Sequence, residues 1–264
     1  MTHSIAGAQI DKPLVARRDW GGAFAALRKL MANKHDTEQV FVIMSALNAD
    51  EDVRLYKRLL TSRSGGQVAY RRVELAEKLM DRTWLERFEP DTVGGVYRAF
   101  LDATGYSAEG LAEISQAGAS DMHAEHPYVW MGRRTRDVHD LWHVLTGYKA
   151  DEHLGEASLV AFSFAQLGGW GWAAIALASW LETLPGGLSN PQGQAIWEGY
   201  RLGRKAVWLV GEDYEKLLGE RLVDARRRLR IGTPERYFAI PQAVRATSLG
   251  QGKEHETTQA LLSA

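Results

Sequence analysis

From Ala157 to Leu181 the chain carries no Asp, Glu, Lys or Arg. A run of that length either crosses a membrane or is buried on most sides within a protein. Its interior argues for burial. Gln166 and three serines lie inside it, and Gly168, Gly169 and Gly171 divide it into two shorter helices. Glu156 and Glu182 bracket the run, and neither flank has the cluster of Lys or Arg that fixes membrane topology. The segment therefore predicts two buried helices around a glycine hinge. Such a pair makes a core or lines a tunnel for a long apolar tail, and burial alone favours the core.

The rest of the chain repeats the helical period. Trp20, Phe24, Leu27, Leu30 and Met31 recur at helical spacing, as do Val40, Phe41, Ile43, Met44 and Leu47 between Asp36 and Asp50. Further helices are expected over Leu55–Leu60, Glu74–Phe88, Val93–Thr104, Ala108–Gln116, Gly193–Val210 and Asp213–Leu229. Asn190 and Pro191 read as an N-cap and first helical residue. No series of alternating strands appears, so the fold class is all-α: a multi-helix bundle. Residues 1–18 read as a loose arm, 19–235 as one domain, and 236–264 as a tail, partly disordered and polar from Ser248 onward. The first residues lack the basic-then-apolar pattern of an export signal. A net charge of −1 gives no electrostatic case for nucleic acid. With no cysteine, any metal must be held by nitrogen and oxygen. Nine tryptophans, mostly in the second half, are of the type that lines apolar ligand pockets or membrane-facing surfaces.

The residues with metal chemistry are His139, Asp140, His143 and Glu156. At about 100° per residue, Val138, Leu141, Trp142 and Leu145 form one apolar stripe. His139, His143, Thr146 and Gly147 lie opposite, with Asp140 at their margin. Two imidazoles one turn apart can face one ion, although incidental histidines on a surface helix share that spacing. Gly147 is a plausible stop, and Tyr148–Leu154 reads as a loop to a second helix. Glu156 falls in the first turn of that helix, where the helix dipole favours a carboxylate. The N/O set suits zinc, iron, manganese or cobalt.

The string Arg136-Asp137-Val138-His139-Asp140-Leu141-Trp142-His143-Val144-Leu145-Thr146-Gly147-Tyr148, with Glu156 beyond it, closely resembles the Coq4 family of ubiquinone (coenzyme Q) biosynthesis proteins. Tyr97–Phe100, Gly199–Ala206, Asp213-Tyr214-Glu215 and Arg226–Ile231 extend the likeness over residues 90 to 232. One departure concerns spacing: twelve residues separate His143 from Glu156, one more than the family's usual interval. Glu152 therefore competes for the ligand position, and Gly155-Glu156, a glycine before the glutamate, favours Glu156.

The resemblance implies an all-α protein with a metal site on a central helix and an apolar lipid pocket. It implies a homodimer, peripherally attached to a membrane, working with other ubiquinone biosynthesis enzymes; the absence of cysteine and of an export pattern is compatible with a cytoplasmic location. The implied activity is oxidative decarboxylation of a polyprenylated 4-hydroxybenzoate-derived ring, in which a hydroxyl replaces the C1 carboxyl. His139, His143 and Glu156 would hold a divalent metal (Fe, Zn, Mn, Co or Mg), with O2 as a candidate co-substrate. Asp140 would be a further ligand or a base held against the metal. Arg204 would pair with the substrate carboxylate, though it also reads as a solvated helix charge. A different class is a non-catalytic prenyl-lipid-binding scaffold for the same pathway. A weaker resemblance runs to the HD-type phosphohydrolases, through His123, His126 and His139-Asp140, with Asp213 or Asp224 as the late aspartate.

Overall fold

The computed structural model describes residues 17–33, 36–47, 50–104, 126–247 and 249. Within them the chain is all-α, with no strand and an isolated bridge between Thr92 and Arg221. The expected helix at 108–116 lies outside the described residues.

The uncharged run folds as two helices, α10 (His153–Leu167) and α11 (Trp170–Glu182). They are separated at Gly168 and Gly169, whose φ of 72° and 84° few other residues adopt. No helix among the described residues is long and apolar enough to cross a membrane. Beside α10 runs α12 (Pro191–Lys205), capped by Asn190, whose side chain accepts from the Gln192 N–H. Gly199 lies against the Ser158 carbonyl and Gly203 against the Phe162 carbonyl, so the two helices are parallel and nearly touch backbone to backbone. A Cβ at either glycine would sit 2.4–2.5 Å from those oxygens.

Around this pair the main core gathers α3 (Glu51–Thr61), α7 (Val93–Thr104), α8 (Pro127–Asp137) and α9 (His139–Thr146). Leu55, Leu59, Tyr97, Trp130, Trp142, Phe162, Ile196 and Tyr214 are its buried anchors. A smaller cluster joins α1 (Trp20–Ala32) and α2 (Thr37–Leu47) to α11 through Ala23, Ala26, Ile43, Leu47 and Ile175. Helix α11 departs from the sequence expectation of full burial. Its inner face packs, but Trp170, Leu177 and Leu181 on its outer face are exposed.

Several segments differ from the periodicity reading: the helix expected over Asp213–Leu229, for one, is two, Tyr214–Leu217 and Leu222–Arg228. Gly65–Arg71, to which the periodicity assigns no element, forms a helix. Glu74–Phe88 is two short helices broken at Asp81, whose carboxylate accepts from the Trp84 N–H. Residues beyond 235, read as a tail, continue in short helices over Glu235–Phe238 and Gln242–Ala246. Tyr237, in the first of them, is fully buried, so the packed structure continues past residue 235.

One buried acid lies far from the histidine motif. Glu51, in the first turn of α3, takes a hydrogen bond from Trp172 Nε1 at 3.2 Å, while its Oε2 is buried without a partner. Burial, reinforced by the charge of Asp52, raises its pKa from 4.5 to about 8, despite the opposing pull of Arg54. The folded state therefore holds a proton that the unfolded chain releases above about pH 4.5. This contribution to stability falls as pH rises from about 4.5 to about 8. Glu51→Gln is expected to stabilise the protein at pH 8 by about 1–3 kcal/mol relative to wild type. At pH 4.5 the gain should vanish. Urea unfolding at the two pH values measures the difference, and a pH-independent gain would mean that packing, not charge, is responsible.

Candidate metal centre

Helix α9 is built by the two faces read from the sequence. Val138, Leu141, Trp142 and Leu145 are buried in the core. Trp142 Nε1 donates to the Tyr214 hydroxyl at 2.7 Å, fixing the helix's rotation. The helix ends at Gly147, whose φ of 88° lets its N–H return to the His143 carbonyl at 2.8 Å. The opposite face then projects His139 and His143 toward Glu156, in the first turn of α10.

His139, His143 and Glu156 each direct one donor atom to a common point, all within 4.8 Å of one another. Glu156 Oε1 is 3.1 Å from His143 Nε2, and Oε2 is 3.7 Å from His139 Nε2. The rings stand edge to face, with centroids 5.0 Å apart. Exposure is graded across the group: the His143 side chain is 1% exposed, His139 24% and Glu156 42%. The cluster has a closed floor and an open edge.

His143 is oriented from two further directions. Its Nδ1 lies 2.9 Å from the Tyr148 carbonyl, and Phe100 stacks on its ring at 6.1 Å with 16° between planes. A carbonyl only accepts, so Nδ1 carries the proton and Nε2 presents its lone pair to the cluster. Nε2 is buried and lacks a hydrogen-bonding donor. It faces a carboxylate oxygen, so two acceptors oppose each other at 3.1 Å, an arrangement satisfied by a cation or proton between them. The donor set thus fits a divalent metal, with two imidazoles and one carboxylate.

The electrostatics are those of a mutually dependent group. Burial raises the Glu156 pKa, but the charges and hydrogen bonds of the imidazoles, when these are protonated, outweigh burial and hold it well below the usual carboxylate range. Burial lowers His139, yet its hydrogen bond and charge interaction with Glu156 leave it raised overall. Asp140 is raised by burial, partly offset by the two histidines. Asp140 is 4% exposed and its Oδ2 has no hydrogen-bond partner, but it is outside the convergent trio.

The other predicted residues fall elsewhere. Glu152, the competitor for Glu156, is the N-cap residue of α10 and is paired with Arg245 at 2.6 Å. Glu156, not Glu152, therefore lies beside the two histidines. Arg204 is exposed in the last turn of α12. Because Gly203 lies level with Phe162, Arg204 sits about 10 Å beyond Glu156 along the helix axis. His123 lies outside the described residues. His126 caps α8 by accepting from the Tyr128 N–H, Asp213 pairs with Arg71, and Asp224 pairs with Arg227. The HD-type constellation is thus not assembled among the described residues. Of the basic cluster at the end of the helix Leu222–Arg228, Arg226 donates to the Thr146 carbonyl at 2.8 Å and so caps α9. Sequence reasoning did not single out Phe100 as a wall of the site, although it flagged the segment Tyr97–Phe100. It missed the Tyr148 carbonyl, since a backbone acceptor leaves no mark in side-chain patterns.

The family model described as "Coenzyme Q (ubiquinone) biosynthesis protein Coq4" matches residues 22–235. A mitochondrial ubiquinone biosynthesis protein coq4 from Pyrenophora tritici-repentis is 26% identical over 80% of this chain and 69% of its own length. The corresponding protein of Podospora anserina is 24% identical over 69% of this chain. The match spans 58% of that relative. A crystal structure from Nostoc punctiforme, of a protein described as a candidate ubiquinone biosynthesis protein, shares the fold with a TM-score of 0.57 at 17% identity. It aligns over 82% of this chain and the whole of the other. The all-α fold, the histidine motif and a family match over most of the chain lead to one conclusion: this protein belongs to the Coq4 family of coenzyme Q biosynthesis proteins.

Proposed function

We propose that this chain is a metal-dependent enzyme of ubiquinone synthesis. Its reaction is oxidative decarboxylation of a polyprenylated 4-hydroxybenzoate-derived ring: the carboxyl leaves C1 as CO2, a hydroxyl replaces it, and O2 accepts the two electrons released, so that ring acid, water and O2 give the C1 phenol, CO2 and hydrogen peroxide. The observation that carries the reading is the convergence of His139, His143 and Glu156 around the unpaired His143 Nε2. A group of two imidazoles and one carboxylate with open positions is typical of non-haem iron oxygenases. Iron held there would supply redox chemistry with O2, whereas zinc, manganese, cobalt or magnesium would act as a Lewis acid on the ring.

The chain's own residues divide the remaining work. The Tyr148 carbonyl and the Phe100 ring hold His143 in one orientation. The exposed side of Glu156 is the approach for a substrate carboxylate. Asp140, buried next to both imidazoles, acts as a base or a further ligand. Arg204 can meet only a part of the substrate lying about 10 Å from Glu156 along α12. Trp197, Tyr200 and Phe164, which stack in series between α12 and α10, offer an aromatic wall for the prenyl tail. The exposed Trp20, Phe24, Trp170 and Leu177 supply an apolar surface for peripheral attachment to a membrane. The same surface suits the alternative class, a prenyl-lipid-binding scaffold or homodimer that organises the other enzymes of the pathway. The relatives named above are labelled mitochondrial, whereas the sequence alone suggested the cytoplasm, so compartment belongs to this proposal too.

Elemental analysis of protein purified without added metal is expected to find close to one divalent metal per chain. The His139→Ala/His143→Ala variant should lose it. A metal-free wild type that also fails to load on reconstitution would remove the mechanism. With purified prenylated substrate and O2, wild type should release CO2 and form the hydroxylated ring. His143→Ala should lower that rate by about 100-fold or more, since even outer-shell changes at metal sites typically cost 10–100-fold. Undiminished product formation by the variant, with loss only of assembly with partner enzymes, would instead favour the scaffold.

A further inference from the structure

The loop from Gly147 to Glu152 joins the two halves of the metal site, and a segment nearly a hundred residues downstream holds it. Tyr237 is fully buried. Its hydroxyl accepts from the Lys149 N–H at 3.1 Å and donates to the Glu152 carboxylate. Its ring stands edge-on against Tyr148 at 5.1 Å. Arg245 completes the contact with two hydrogen bonds to Glu152, at 2.6 and 3.2 Å, and lies over the Tyr237 ring at 4.7 Å. The Glu152 side chain is 2% exposed, so its charge is almost wholly compensated by these two residues.

Both ends of the loop lead to a candidate ligand. Tyr148 supplies the carbonyl that orients His143, and the Glu152 carbonyl accepts the Glu156 N–H at 3.0 Å in the first turn of α10. One phenol hydroxyl therefore ties the residue after Tyr148 to the residue that starts the helix of Glu156. We propose that Tyr237 and Arg245 are positioning residues of the metal site, setting the distance between His143 and Glu156 through Glu152 and the 147–152 loop. The proposal rests on the metal-binding reading above. Tyr237 and Arg245 lie beyond residue 235, where the family match ends.

The test is cobalt(II) binding to the metal-free full chain, followed by the visible absorption of the bound ion and by calorimetry. Tyr237→Phe keeps the ring against Tyr148 and removes only the hydroxyl, so the fold should survive. It is expected to weaken cobalt affinity by about 10–100-fold, the usual effect of losing an outer-shell partner. The visible band should shift, and amide exchange at Lys149 should rise. Arg245→Lys, which keeps the charge but loses the two-point contact, should lie between wild type and Tyr237→Phe. Arg245→Ala leaves a buried carboxylate half-paired and serves only as a stability control. Unchanged affinity and spectrum in Tyr237→Phe, with wild type binding cobalt, would overturn the positioning role alone. Wild type that takes up no cobalt would overturn the metal reading and the positioning role with it.

Discussion

The absence of two Cβ atoms sets much of this structure. Gly199 and Gly203 let α12 lie against the Ser158 and Phe162 carbonyls of α10, closer than any side chain would permit. Helix α10 is thereby fixed in height and rotation, and Glu156 is carried on its first turn. A methyl at either glycine would push the helices apart and displace the carboxylate from the two imidazoles. Gly155 has a related function at the start of α10, where a Cβ would meet the Lys149 carbonyl at 2.0 Å. The loop can therefore fold back tightly only with glycine before Glu156.

Local features of the centre were legible in the sequence, and distant ones were not. The apolar stripe and ligand face of α9 follow from a 3.6-residue period, and the glycine stop from backbone preference, so both appear as read. Glu156 needed the helix-start argument and the family pattern, because spacing alone allowed Glu152. The choice between them is made by Arg245 and Tyr237, at separations of 93 and 85 residues, which no local pattern encodes. These two sit in helices of four and five residues, too short to display a period. Arg204 shows the converse limit. Its charge suited a carboxylate, but only the register of α12 against α10 reveals how far it lies from the trio.

The uncharged run teaches a similar lesson about burial. Composition predicted two buried helices, and α10 meets that expectation with Ala157, Leu159, Phe162 and Leu167 in the core. Helix α11 is as apolar but lies in an outer layer, with Trp170 packed edge-on to Trp20 from α1 at 5.7 Å. An apolar sequence signals that a face must be covered; it does not say by what.

The centre itself has a thermodynamic consequence for the fold. A buried acceptor without a donor, such as His143 Nε2, typically destabilises a protein by about 1–3 kcal/mol. Asp140 Oδ2 adds a second unpaired acceptor close by. The surrounding structure must offset both, and it does so with apolar anchoring on one side of α9 and polar ties on the other. Trp142 bonded to Tyr214 holds the core side. Arg226 on the Thr146 carbonyl and the Tyr237–Glu152–Arg245 group hold the loop side. A cation at the trio would satisfy Nε2 and the opposing Glu156 oxygen together, so ligand binding and folding are linked through the same atoms. The trio is buried at His143 and open to solvent at Glu156. That division follows from placing one ligand in the middle of a core helix and the other at the exposed start of its neighbour.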